Sequence, residues 1–186
     1  QRERLEGGGP SRFSQDSYAS ANSFSVVSAV YNVEKYLDEY LENMLNQTIK
    51  KDQLQLVLVD DGSTDGTAAK IAEWVARYPD LIKYIRKENG GQASARNVGL
   101  DYATGDWVTF IDPDDFVSRS YFEEVDKAIV AYPDLRFITC RIVFFNETKG
   151  EYFDNHPLRS EFDSEVSLYN VDDDYMPITL SASKSF

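Results

Sequence analysis

The sequence predicts an α/β fold, with a mostly parallel, Rossmann-like sheet and helices on both of its faces. Three observations predict it. Short, β-branched apolar runs alternate with stretches of helical periodicity from Ser23 to about Phe145. The connections between them are short, which favours parallel strands joined by helices packed on the sheet. Capping residues, glycines and prolines fall where helices have to start and stop.

The elements follow in order. Phe24 to Tyr31 (FSVVSAVY) reads as a buried strand. Asn32 is placed to cap the helix behind it. In that helix Tyr36, Tyr40 and Met44 form one stripe, and Leu37, Leu41 and Leu45 form its neighbour. Leu54 to Val59 is the second strand. Asp65 is placed to cap a helix whose inner face is Ala68, Ile71, Ala72 and Val75, stopped by Pro79. Ile82 to Ile85 is a weaker third strand. Ala95, Val98, Gly99 and Tyr102 mark a third helix ended by Gly105. Trp107 to Ile111 is the fourth strand. Phe122, Val125, Ile129 and Tyr132 line a fourth helix ended by Pro133, and Leu135 to Phe145 contains a fifth strand. After Phe145 the alternation fades into turns and short strands, one of them at Ile178 to Leu180.

A chain of 186 residues, 42% hydrophobic and 13% aromatic, is enough for one well-cored globular domain. Residues 1–22 are polar, with Gly7-Gly8-Gly9-Pro10 among them, and read as a flexible lead-in outside the fold. The domain proper is expected over 23–186. No apolar run approaches the roughly 20 residues of a membrane span, and the N-terminus carries no signal-like stretch. The expectation is a cytoplasmic protein, a peripheral place at the inner membrane face being compatible with it. Cys140 is the single cysteine and reads as a buried structural thiol; no internal disulfide can form. His156 is the single histidine, so a multi-histidine metal site is excluded; before Pro157 it reads as a surface or turn residue. The net charge of −13 argues against a nucleic-acid partner. A phosphorylated ligand is still accessible to so acidic a chain if a divalent cation bridges the two.

In an open parallel sheet the ligand sits beyond the carboxyl ends of the strands. The residues there are Tyr31-Asn32, Asp60-Asp61-Gly62-Ser63, Glu88-Asn89-Gly90-Gly91 and Asp112-Pro113-Asp114-Asp115. Asp112 and Asp114 stand at i and i+2, which in extended backbone aims both carboxylates one way. They would repel each other unless a hard cation such as Mg²⁺ or Mn²⁺ joined them. An acidic turn with capping aspartates explains the same residues equally well. Asp61 can accept a base N–H, or serve as a turn residue. Paired glycines at 90 and 91 allow a close backbone approach to a ligand. Arg96, in the first turns of the third helix, can reach a diphosphate or stay a solvated surface residue.

Taken together, AVYNVEKYL, LVLVDDGSTDGT, NGGQASARNVGL and GDWVTFIDPDD resemble family 2 glycosyltransferases in content, order and spacing, over residues 24 to about 118. The resemblance implies a GT-A fold, a nucleotide-diphospho-sugar donor (UDP-linked as the family expectation), a divalent metal and inversion at the transferred sugar's anomeric carbon. It points to Val30 and Tyr31 at the base, Asp61 reading the base, and Gly91 and Arg96 at ribose and phosphates. Asp112 and Asp114 correspond to the DxD pair, with Asp114 the direct metal ligand, and Glu34 is a further donor-side candidate. The family often has Pro where Ala29 stands. Its catalytic base is usually acidic and well after DxD, yet nothing after Tyr175 is acidic. The base is therefore expected beyond Phe186, in a domain truncated at its C-terminus, with sugar transfer by this piece weak or absent. The segment from HPLRSEF to ITLSASKSF resembles N-terminal transferase regions of larger bacterial enzymes that build teichoic-acid-like or capsular polymers, which implies a glycan or polymer acceptor. Two other classes stay in view. LVLVDD resembles the acidic pair of a phosphorylatable receiver, although no lysine follows the fifth strand promptly. A non-catalytic nucleotide-sugar-binding or scaffold domain would carry the same donor residues.

Overall fold

The computed structural model describes residues 22–138, 140, 143–146 and 148–153. Those up to Arg136 belong to one compact unit and those from Phe137 to another. In the first unit the order is β1 (Phe24–Val30), α1 (Glu34–Leu45), β2 (Leu54–Asp60), α2 (Thr67–Arg77), β3 (Ile82–Arg86), α3 (Gln92–Leu100), β4 (Trp107–Phe110) and α4 (Tyr121–Ala131). The four strands form one sheet in the order β3-β2-β1-β4, every pair parallel.

The register sorts the side chains. Val26 lies beside Leu56 and Ser28 beside Leu58, while Val27 lies beside Val57 and Ala29 beside Val59. Because side chains alternate between faces, Val27, Val57 and Val59 share one face. There α3 packs with Ala95 at the centre of the cluster and Ala29, Ile85 and Val98 around it. Gly99 lets α3 come this close: a Cβ there would lie 2.3 Å from Val27 Cγ1. On the opposite face Tyr40 of α1 meets the Ser28 hydroxyl, and Phe122 of α4 lies 5.6 Å from the Phe24 ring. Leu37, Tyr40, Leu41, Met44 and Phe122 are all essentially buried. Each such side chain contributes about 1.5–3 kcal/mol on leaving water.

Several expectations are corrected. The inner face of α2 is Thr67, Ile71 and Trp74, with Ala72 exposed. Trp74 is drawn inward because its Nε1 donates to Asp38 on α1 at 2.9 Å. Helix α3 ends at Leu100, and Tyr102 is exposed. Gly105 is not its cap; a Cβ there would lie 2.6 Å from Ser25 N, so the residue is small to let the chain pass β1. Among the described residues the parallel sheet has four strands. The expected fifth strand is reduced to β5 (Phe144–Asn146), which pairs antiparallel with β6 (Glu151–Phe153). Cross-strand aromatic pairs hold that hairpin, Phe144 with Phe153 and Phe145 with Tyr152, and Gly150 supplies its left-handed turn residue at φ 68°. Cys140 is half-buried rather than buried. The lead-in, His156 and the strand expected at Ile178 to Leu180 lie outside the described residues.

Candidate donor site at the strand ends

The chain runs β1, β2, β3 toward one edge of the sheet and then returns to place β4 on the far side of β1. The switch point therefore lies between the carboxyl ends of β1 and β4, where an open parallel sheet forms its ligand crevice. Val30 ends β1 fully buried, and its carbonyl accepts Asp61 N at 2.9 Å. Tyr31 emerges next with half its surface exposed, an aromatic face at the mouth of the crevice. Asn32 adopts φ 53°, a left-handed conformation that asparagine tolerates better than most residues. It does not cap α1, whose N-cap is Val33, because its Oδ1 is already engaged. That oxygen accepts Thr64 N at 2.8 Å and Asp65 N at 3.3 Å, and Asn32 N donates to Ser63 Oγ.

A second set of bonds locks the same loop. Glu34 Oε2 accepts Gly66 N at 3.0 Å. A Cβ on Gly66 would stand 2.4 Å from the Glu34 carboxyl, so a side chain at 66 would push that carboxylate off the Gly66 N–H. Asp65 acts as expected in kind but from one place further back. Gly66 is the N-cap of α2, and Asp65 Oδ1 accepts Thr67 N at 3.0 Å. Glu34 is thus committed to holding the β2–α2 loop.

The two aspartates ending β2 have different tasks. Asp60 is fully buried. It accepts Ser63 N at 2.7 Å and the Tyr84 hydroxyl at 2.9 Å, closing the turn. Burial first, and then this hydrogen bond to Asp60, push the Tyr84 phenol up to about 12. Asp61 is also buried, with 4% of its side chain exposed. Its Oδ1 accepts Lys87 Nζ at 2.6 Å and Gly90 N at 2.9 Å, and its Oδ2 accepts Gly91 N at 2.7 Å. Burial alone would raise this carboxyl, but the Lys87 and backbone donors outweigh it and hold the group below the usual carboxylate range.

Gly91 has φ 85° and serves as the N-cap of α3. One residue on, Gln92 Nε2 donates to Asp112 Oδ2 at 2.9 Å. Arg96, one turn further, donates through a single amino group to both Asp112 oxygens at 2.9 and 3.1 Å. A continuous path therefore runs from Asp61 through Gly91 and Gln92 to Asp112, and the start of α3 links the β2 and β4 exits. Beyond Asp112, oxygens of Asp112, Asp114 and Asp115 lie within 4.8 Å of one another. Desolvation first, then Asp114 and Asp112, push the Asp115 carboxyl up to about 6.

All eight sequence-predicted positions line this end of the sheet, but not each with the expected contacts. Arg96 is paired with Asp112, and Glu34 with the 66 backbone. Four participants were missed: Asn32 as a loop tie, Lys87, Gln92 and Asp115. Asp115 was legible as the last letter of DPDD. Lys87 carried no signal, since a lysine two residues before Asn89 is ordinary surface composition until the fold brings it to Asp61.

The chain matches the family model described as glycosyl transferase family 2 over residues 25–180. The chain belongs to glycosyl transferase family 2. That membership sets aside the receiver reading. Among relatives of this family, the minor teichoic acid biosynthesis protein GgaB of Bacillus subtilis is 42% identical over 142 residues, covering 76% of this chain and 15% of that protein. Glycosyltransferase GlyA of Streptococcus pneumoniae is 36% identical over 132 residues, covering 71% of this chain and 18% of that protein. The chain thus spans less than a fifth of either relative. Among solved structures, TarS 1–349 of S. aureus in complex with UDP-GlcNAc matches with a TM-score of 0.56 and 29% identity, covering 64% of this chain and 37% of that one. The mannosyltransferase PcManGT of Pyrobaculum calidifontis, in complex with GDP-Man and Mn2+, matches at 0.56 and 30%, covering 66% and 36%. The fold is GT-A, as in these family 2 neighbours. No helix among the described residues is long and apolar enough to cross a membrane.

Proposed function

We propose that this chain holds the donor of an inverting glycosyltransferase: a nucleoside-diphospho-sugar, UDP-linked, together with Mg²⁺ or Mn²⁺. The sugar passes to a hydroxyl of a glycan or cell-surface polymer, in the cytoplasm or at the inner face of the membrane. The observation that carries the reading is the hydrogen-bonded path from Asp61 to Asp112 beside three clustered carboxylates at the switch point. The names of the teichoic-acid relatives support the polymer acceptor.

In this reading Tyr31 stacks on the base, the Val30–Tyr31 backbone flanks it, and Asp61 accepts a base N–H. Gly91 lets the α3 N-terminus approach ribose and phosphate. Arg96 holds Asp112 in place and stands ready for phosphate oxygens. Glu34 acts on the donor side by fixing the 62–66 loop. The cluster suits a hard divalent ion, because its donors are all carboxylate oxygens, and desolvation first and then their mutual repulsion raise Asp115. Asp114 and Asp112, with Asp115, would hold the ion. When bound, the ion neutralises charge growing on the leaving diphosphate. A carboxylate that takes the acceptor proton is also needed, and the described residues assign none.

Calorimetric titration with UDP, with and without Mn²⁺, tests this. Mn²⁺ should tighten UDP binding about tenfold or more, as expected for one well-placed charge contact. Asp114→Ala should remove that increment and leave the metal-free affinity. Equal binding with and without metal would overturn the assignment.

A further inference from the structure

Resting on the donor reading above, a second side chain stands where the base would be recognised. Asp61 is ringed by three donors, and together they limit what it can still accept. A carboxylate oxygen has two lone pairs. Among the described residues both on Oδ1 are occupied, by Lys87 Nζ and Gly90 N, whereas Oδ2 accepts Gly91 N alone. One acceptor position therefore remains. Lys87 Nζ has three N–H donors, of which one serves Asp61 Oδ1 and another the Glu88 carbonyl. Its side chain is one-fifth exposed, so the ammonium is neither sealed in the core nor loose in solvent. The same nitrogen stands 2.9 Å from where a Cβ on Gly90 would be, so it lies directly against the glycine turn.

The pocket wall thus offers one remaining acceptor and one remaining donor on side chains 2.6 Å apart. We propose that Lys87 and Asp61 read the base as a pair, Asp61 accepting a ring N–H while Lys87 donates to the ring carbonyl beside it. Bases with that edge are uracil, thymine and guanine. Cytosine presents an acceptor where the N–H should be, and an amino group on the neighbouring carbon. Adenine likewise lacks the ring N–H and the carbonyl. Both would set donor against donor and acceptor against acceptor. Lys87 is on this account a specificity-determining residue as well as the counter-charge of Asp61.

The test uses the chain with Mn²⁺ and measures binding of UDP, dTDP, GDP and CDP by calorimetry. The native protein should prefer UDP to CDP by about tenfold or more, from one charge-assisted bond made or lost; the dTDP and GDP arms show whether a methyl group or a purine is also admitted. Lys87→Gln keeps an N–H donor without the charge, and Lys87→Met keeps neither. Both leave Asp61 without its counter-charge, so the difference between them reports the donor. The preference should persist in Lys87→Gln and fall severalfold in Lys87→Met, where only the share read by Asp61 remains. A fall in UDP and CDP affinity by the same factor in both variants would make Lys87 a structural counter-ion only and overturn the proposal. Should Lys87→Met fail to fold, the native protein still decides. Either 2-thio-UDP or 4-thio-UDP, each with one weakened acceptor, should bind several-fold more weakly than UDP, and equal binding of both overturns the reading. Failure of the native chain to bind any nucleoside diphosphate would instead count against the donor site itself.

Discussion

Asp115 makes the proposed metal site sensitive to pH in a calculable way. Asp115 is exposed as a residue, yet crowding around its carboxyl, desolvation first and then Asp114 and Asp112, pushes that group up to about 6. A cation and a proton compete for it, because each relieves the same crowding of negative charge. With a group at 6, the ionised fraction is about one-tenth at pH 5 and about nine-tenths at pH 7. If the metal requires the ionised form, its apparent affinity should be about tenfold weaker at pH 5 than at pH 7. The sign for stability is opposite. A carboxyl raised on folding binds its proton more tightly in the folded chain, so the metal-free protein loses stability as pH rises from the ordinary carboxylate range through about 6. Added Mn²⁺ should restore much of that loss at pH 7 and little at pH 5. Mn²⁺ titration followed by electron paramagnetic resonance, with thermal melts at both pH values, reads both effects. Asp115→Asn should flatten the metal affinity against pH. Native affinity that agrees within twofold at the two pH values would refute the reasoning, since it would leave Asp115 outside the ion's reach.

Two further outcomes follow from other contacts. Gly99→Ala should destabilise the chain by up to about 2 kcal/mol in urea denaturation. Its Cβ would sit 2.3 Å from Val27 Cγ1, an overpacking cost of about 1–3 kcal/mol that outweighs the roughly 1 kcal/mol of helix propensity gained; an unchanged or higher midpoint would show that α3 has room to move. Tyr31→Ala should weaken UDP binding about tenfold, the loss of one base–aromatic stack, with no change in the melting of the unliganded protein because the ring is half exposed; equal UDP affinity would place the base elsewhere.

The parts of the fold legible in the sequence were those governed by local pattern. FSVVSAV and LQLVLVD are buried on both faces, so mostly apolar, β-branched runs identified them as central strands. The acidic and glycine strings at the strand ends were legible for the same reason, because chemistry in an open sheet collects at one edge. What escaped was set by partners far along the chain. The inner face of α2 was misread because Thr67 and Trp74 hydrogen-bond to Val33 and Asp38 more than 30 positions away, and an apolarity pattern contains no such information. Asn32 was given a cap role by its type alone. Its left-handed backbone turns it toward the 63–65 loop, whose position depends on Asp60 closing the next turn.

The same long-range pairing explains how so acidic a chain can face an anionic donor. Asp60, Asp61 and Asp112 each have a cation within reach: Arg86 at 3.7 Å, Lys87 at 2.6 Å and Arg96 at 2.9 Å. These three aspartates can therefore order backbone and accept hydrogen bonds without adding a full negative charge to the crevice. The crowding that remains shows at Asp115, whose carboxyl is raised by desolvation first and then by Asp114 and Asp112. A diphosphate approaching the Asp112–Asp114–Asp115 cluster would meet carboxylate charge that a cation could offset. Arg96 is already shared with Asp112, and its buried Nε makes no hydrogen bond among the described residues, so any phosphate contact it makes draws on a guanidinium already partly neutralised. In the proposed donor site, dependence on a divalent ion would follow from how the charges are shared among the strand ends, and it should weaken in variants that alter that sharing.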